Sequence, residues 1–124
     1  MDLNDSYVWF KLGAAYSKQE KPDKTALAYE KGLAINPEAA EAWNGLGAAY
    51  YNQGTTEKAI QAFEKALAIN PKDGDSSYRL AVAYAQKGGY ASAWRYVQKA
   101  QELGHRVNQD FLKELRGKTK EPGK

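Results

Sequence analysis

Apolar side chains recur along this chain at spacings of three and four residues, which is typical of one face of a helix. Within residues 40–71 a first apolar stripe is followed by a second. The first comprises Trp43, Leu46, Gly47, Tyr50 and Tyr51, and the second comprises Ala59, Ile60, Phe63, Ala66, Leu67 and Ile69. Between them, Gly54 suits the left-handed residue past a helix end and Thr56 suits an N-cap. The residue before Pro71 is disfavoured in a helix, so the second helix is predicted to end there.

This helix pair is one copy of an internal repeat. Residues 6–37 and 40–71 align without gaps at an offset of 34 and are identical at 16 of 32 positions. Residues 74–105 form a third, more diverged copy. The positions that carry the repeat are Trp9, Leu12, Gly13 and Tyr16, then Trp43, Leu46, Gly47, Tyr50, Gly54, Ala59, Phe63, Ala66 and Pro71, then Leu80, Tyr84, Gly88, Ala93 and Ala100. A period-two strand pattern occurs nowhere, so the fold is predicted to be all-α.

The combination of Trp, Leu-Gly, Tyr, Gly, Ala, Phe, Ala and Pro in one 34-residue period resembles the tetratricopeptide repeat, from residue 6 to about 105. The resemblance implies a right-handed α-solenoid of three helix-turn-helix units, at 6–39, 40–73 and 74–105. Residues 1–5 are then a leader or the end of a preceding segment. The first copy departs from the second at Glu20, Thr25 and Gly32, which predicts a looser first helix pair. The third copy departs at Ser77 and His105, which predicts an altered path of the chain where it leaves the last helix pair.

A further short helix is expected at 106–117, followed by a flexible basic tail at 118–124. Its apolar side comprises Val107, Phe111, Leu112 and Leu115. Asn108 is the expected cap and Gly117 the expected stop. A helix with a polar outside would cover the exposed face of the last repeat. The alternative is that it folds back onto a binding surface.

Composition removes several classes of function. The 124 residues contain no cysteine and one histidine, His105, which we expect to lie exposed in a loop. Disulfides, thiolate sites and metal clusters are therefore not expected, nor is a cofactor or an enzymatic activity. The net charge of +3 owes much to the lysine-rich tail, so nucleic acid is a lesser alternative, through Lys11, Lys18, Lys21 and Lys24. The start of the chain is acidic where a secretory signal is basic, and no apolar run could span a bilayer. A cytoplasmic protein is the default expectation, and a piece of a longer array is the alternative.

The resemblance also implies a binding surface, because the first helices of such repeats line a groove that takes a peptide or helix of a partner. Its predicted residues are Tyr7, Phe10, Asn44, Tyr51, Asn52, Tyr78, Arg79 and Gln86, and the family's pattern places Glu41 and Asp75 on the same surface. Tyr51 and Tyr78 are additional to the aromatic residues of the repeat itself. Rings supply contact area and amides can pair with a ligand backbone. A protein-interaction module is therefore the predicted function, and a scaffold that self-assembles through exposed repeat faces is the alternative.

One ligand class is not expected. Cochaperones of this family hold a C-terminal carboxylate with Lys, Asn, Asn, Lys and Arg on three groove helices. The matching positions here are Phe10, Ala14, Gly45, Asp75 and Arg79. Only Arg79 agrees, and Asp75 would repel an acidic tail. Because a bound carboxylate needs paired donors, a chaperone C-terminus is excluded from the expected partners, and the true partner stays unidentified.

Overall fold

Seven α-helices make up the regular structure of residues 4–123, the part of the chain that this computed structural model describes. They belong to two compact units, and the chain passes from the first to the second after Pro71. The N-terminal unit contains α1 (Ser6–Lys18), α2 (Pro22–Ile35), α3 (Ala40–Asn52) and α4 (Thr56–Ile69). The C-terminal unit contains α5 (Gly74–Gln86), α6 (Tyr90–Glu102) and α7 (Gln109–Lys118). No strand occurs in residues 4–123, so the predicted all-α class is confirmed.

The turn inside each helix pair uses one left-handed residue. Gly54 has φ 83° as predicted, and Gly88 has φ 86°. The N–H of Thr55 then donates to the carbonyl of Tyr50 at 3.0 Å, which satisfies an otherwise unpaired group at the helix end. Glu20 occupies the same position of the first pair with φ 57°. A residue with a β-carbon therefore adopts a conformation that favours glycine, and this turn is strained.

Three predicted helix boundaries have different outcomes. Thr56 is the first residue of α4 and Thr55 its N-cap, so the predicted cap is wrong by one position. The Thr55 hydroxyl donates to a carbonyl of α3 at 2.9 Å instead of capping α4. Asn108 is confirmed as a cap, because its side chain accepts from two N–H groups of the first turn of α7. Gly117 does not stop α7, which continues for one more residue with Thr119 as its C-cap.

Small and branched residues form one core cluster of the N-terminal unit. Its buried members are Ala26, Leu33, Ala42, Leu46, Ala49 and Ala62. The half-buried Trp43 packs beside them, and its indole N–H donates to the carbonyl of Pro37 at 2.8 Å. The alanines let the helices approach closely, and the aromatic residues fill the remaining space.

Lysines of the second helices lie over aromatic rings of the first helices, and these contacts repeat. The Nζ atoms of Lys31 and Lys65 lie 5.0 and 5.9 Å from the ring centroids of Trp9 and Trp43. A second set repeats at the same offset and comprises Lys24 over Tyr16 and Lys58 over Tyr50. These lysines cover packing aromatics, and of the four lysines considered for nucleic acid only Lys24 is among them.

In the C-terminal unit, α7 belongs to the core. Trp94 is 1% exposed and clusters with Leu112 and Leu115 of α7. His105 is half-buried, and its ring centroid lies 5.4 Å from that of Tyr78. His105 lies in a loop as expected, but the expected full exposure is wrong, because the ring packs on Tyr78 where the other copies have proline.

Candidate peptide-binding surface

A surface cavity of about 280 Å³ lies where α1, α2 and the start of α3 meet in the N-terminal unit. Three aromatic rings contribute to it, together with two charged residues and three alanines. The lining residues are Tyr7, Phe10, Lys11, Ala14, Tyr29, Ala39, Glu41 and Ala42. Tyr7 and Phe10 were predicted to belong to one binding surface, and the structure brings them together.

Tyr29 of α2 reaches this cavity because two glycines make room for it. A β-carbon on Gly45 of α3 would lie 2.8 Å from the Tyr29 ring, and one on Gly13 of α1 would lie 3.0 Å away. α3 therefore approaches the ring more closely than an alanine at position 45 would allow, and α1 approaches it nearly as closely. Sequence reasoning missed Tyr29, because its repeat position holds the packing residue Phe63 one copy later. Gly45 was the available signal, since the repeat signature does not require glycine there.

Phe10 enters the cavity by a similar exchange. A β-carbon on Gly32 of α2 would overlap the Phe10 ring, so this aromatic residue of α1 uses the space that a methyl group would take. The ring centroids of Phe10 and Tyr29 are 6.3 Å apart with a tilt of 33°. The predicted looseness of the first helix pair is wrong at Gly32, because Phe10 fills the gap.

Two opposite charges stand at the cavity. Glu41 lies in the first turn of α3, and Lys11 lies on α1 with its Nζ 5.5 Å from the ring centroid of Tyr7. Partial burial, and then the nearby Glu41 carboxylate, raise the pKa of Tyr29 above its usual value, so this phenol is protonated at neutral pH. Tyr7 is 62% exposed.

Other predicted site residues of the N-terminal unit lie elsewhere. Asn52 is exposed and lines a second, smaller cavity of about 30 Å³, beside Ser17 and Ala48. Asn44 and Tyr51 are half-buried on α3 and line neither of the two cavities. Each of the two cavities is lined in part by residues of α1 and in part by residues of α3.

The predicted residues of the C-terminal unit have local partners. The ring of Tyr78 makes an edge-on contact with Phe111 of α7 at 5.9 Å between centroids. The Nε of Arg79 donates to the Asp75 carboxylate at 2.8 Å, and both side chains are exposed. Gln86 is exposed in the last turn of α5. Tyr78 therefore has a packing role, and Arg79 forms an exposed ion pair within its own helix.

The part of the chain that the structure describes offers neither a metal cluster nor a membrane-spanning helix. No cluster of three or more His, Cys, Asp or Glu residues there could hold a metal ion. No helix among those described is long and apolar enough to cross a membrane.

Four family matches overlap along the sequence. Families described as Tetratricopeptide repeat match residues 6–38, 40–73 and 62–95, and one described as TPR repeat matches residues 24–54. No curated protein is a significant match.

Solved structures of similar fold cover most of the chain. A crystal structure of MamA is 29% identical with a TM-score of 0.80, covering 83% of this chain. This chain spans only 60% of that MamA chain. The first TPR of Spaghetti (RPAP3), bound to an HSP90 peptide, is 23% identical with a TM-score of 0.83, covering 95% of this chain and 93% of its own. The Arabidopsis OM64 TPR domain is 23% identical with a TM-score of 0.85, covering 90% and 94%. The last two show the fold alone, and they confirm the predicted α-solenoid class.

Proposed function

Since the chain belongs to the tetratricopeptide repeat family, we propose that it is a non-enzymatic protein-interaction module that binds a segment of a partner protein along the first helices of its repeats. The aromatic cavity between α1 and α3 carries this proposal. Tyr7 lines this cavity and is 62% exposed, so most of its ring is not used in packing within the chain. Exposed, rigid rings beside a concavity are typical anchors for a partner side chain.

The proposed partner is not an acidic segment like the HSP90 peptide SRMEEVD that is bound to RPAP3. Phe10, Ala14 and Gly45 place no positive charge where a carboxylate clamp would need it. Arg79, the one matching residue, already pairs with Asp75 at 2.8 Å. A carboxylate brought to this surface would lose its hydration without gaining paired donors.

The test is a selection of peptides from a random display library on the whole chain, followed by titration of the recovered peptides. We expect chemical-shift changes in a ¹⁵N-labelled sample to concentrate on α1 and the start of α3. Tyr7→Ala should weaken binding about tenfold while leaving the unfolding midpoint unchanged, because the side chain is mostly exposed. Leu27→Ala is the matched control, since Leu27 is 55% exposed on α2 and lies outside the cavity lining. Shifts confined to other helices, or no recovered peptide, would refute the proposal.

A second candidate function, self-association, is favoured by a separate face of α1. Val8, Leu12 and Ala15 are half-buried or exposed there. The equivalent residues one repeat later are at most 3% exposed and comprise Ala42, Leu46 and Ala49. The later set packs in a cluster with Ala26 and Leu33 of α2, so the α1 face has the chemistry of a helix-packing surface without that cover.

Multi-angle light scattering over a hundredfold concentration range tests this second function. Self-association through α1 predicts a mass that rises with concentration, and Ala15→Glu should abolish the rise because it places a charge on the face. A constant monomer mass at the highest concentration would eliminate this candidate and leave the binding module in place.

A further inference from the structure

The cavity between α1 and α3 combines features that a contact surface for an uncharged segment does not need. Three aromatic rings, from Tyr7, Phe10 and Tyr29, line it together with the Glu41 carboxylate. Its volume of about 280 Å³ lies just below the range of pockets for drug-sized ligands, so it suits one long side chain. A long side chain with an apolar stem and a cationic head is the complement of rings and one carboxylate.

We propose that this cavity binds a lysine or arginine side chain of the partner segment. The methylene stem packs against Phe10 and Ala14, and the cationic head lies between the tyrosine rings and Glu41. This inference rests on the proposed function and names the partner chemistry for the same site.

The hydroxyl of Tyr29 favours a cation over an apolar side chain. Among residues 4–123 we find no hydrogen bond made by this hydroxyl, although the residue is partly buried. Covering it with an aliphatic group would leave a polar atom without water or a partner, which is costly. An ammonium or guanidinium group instead donates to the phenol oxygen while Glu41 supplies the opposite charge.

Lys11 is the residue that could oppose this binding mode. Its Nζ lies over the face of Tyr7, 5.5 Å from the ring centroid, so the chain itself places a cation on one ring of the cavity. That contact shows that the ring is accessible to a positive charge. It also means that Lys11 competes with an incoming cation, and its removal should strengthen binding.

The test uses the peptides recovered from the display selection, each synthesised with its basic residue or with norleucine in its place. We expect norleucine to weaken binding to the wild-type chain about three- to tenfold, as for a partly desolvated cation over aromatic rings. Glu41→Gln should weaken the parent peptide by a similar factor and should have little effect on the norleucine peptide. Lys11→Gln should strengthen the parent peptide about twofold. Glu114→Gln, an exposed site on α7, is the matched charge control and should change nothing.

The outcomes separate this inference from the proposed function. Peptides that shift resonances of α1 and α3 but bind equally well with norleucine, or to Glu41→Gln, would overturn the basic side chain and leave the interaction module intact. Recovery of peptides with acidic anchors at the same site would also overturn it. Binding mapped to other helices, or no binding at all, would refute both.

Discussion

Gly45→Ala tests whether the close approach of α3 to Tyr29 is as tight as the geometry indicates. A β-carbon on Gly45 would lie 2.8 Å from two ring carbons of Tyr29, closer than real β-carbons come to other atoms. The same ring also lies close to Gly13 of α1, where a β-carbon would be 3.0 Å from it. The added methyl group must therefore push α3 away from α2 or force the ring off its rotamer.

The expected cost follows from two opposing terms. Overpacking a close contact costs about 1–3 kcal/mol, whereas replacing glycine by alanine inside a helix gains about 1 kcal/mol. The net loss of unfolding free energy for Gly45→Ala is therefore about 1 kcal/mol. Gly117→Ala is the matched control, because Gly117 is helical and a β-carbon there meets nothing within 4 Å. It should gain about 0.5–1 kcal/mol.

Urea unfolding followed by circular dichroism measures both changes, and a double-mutant cycle assigns the cause. In a Tyr29→Ala background the new methyl group has room, so Gly45→Ala should become neutral or stabilising. The coupling free energy should be about 1–3 kcal/mol. If Gly45→Ala stabilises the wild type as Gly117→Ala does, or costs the same without the Tyr29 ring, the steric argument is refuted.

Three further predictions concern other contacts. Glu20→Gly should stabilise the chain by about 0.5–1 kcal/mol because it relieves a φ of 57°. Gly54→Ala should cost a similar amount through backbone strain alone, because its φ is 83° and a β-carbon there meets no atom within 4 Å. Thermal unfolding of both variants checks the opposite signs. Burial, and then a hydrogen bond to Glu30, raise the pKa of the Tyr50 phenol. Its contribution to the free energy of unfolding is therefore complete below about pH 10 and falls as the pH rises further. The free energy of unfolding should decline less steeply at alkaline pH for Tyr50→Phe than for the wild type, and equal slopes would contradict this. Tyr78→Ala should cost about 1–3 kcal/mol because its ring packs on two other rings, and an unchanged midpoint would show that this packing is unimportant.

The helices were predictable because the same apolar spacing and turn residues recur in successive copies of the repeat. Gly54 and Gly88 have the left-handed conformation that the turn requires. The single-residue error at Thr56 reflects two adjacent threonines, of which the first bonds to the preceding helix. The prediction at Gly117 was wrong for a different reason. A glycine allows a helix to end but does not force it to, and here the helical backbone continues to Lys118. The sequence pattern cannot rank such competing local bonds.

The candidate site was less predictable, because it depends on contacts between helices. Tyr7 and Phe10 were found from their repeat positions, but Tyr29 belongs to a second helix that the groove argument left out. Tyr78 was expected to be available to a partner, and its contacts with His105 and Phe111 were not expected. The position of a residue within the repeat predicts its helix face. It does not predict what covers that face when the following segment, here the one with His105 and Phe111, departs from the repeat pattern.

The first copy differs from the second at positions that touch each other. Phe10 and Gly32 occupy the positions that Asn44 and Ala66 occupy one repeat later. The glycine at position 32 leaves space where a methyl group would be, and the Phe10 ring fills that space. Either substitution alone would leave a clash or a void, which makes the pair a single structural exchange.

Tyr29 and Gly45 form a second exchange of this kind, and one repeat later the same positions hold Phe63 and Arg79. In both exchanges a glycine removes a β-carbon and an aromatic ring reaches the cavity. The fold does not require either exchange, because the second repeat forms its helix pair with the other residues. The residues that match the repeat signature therefore account for the helices, and the paired departures from it account for the cavity. This division is the physical reason to look for binding specificity at α1 and the start of α3.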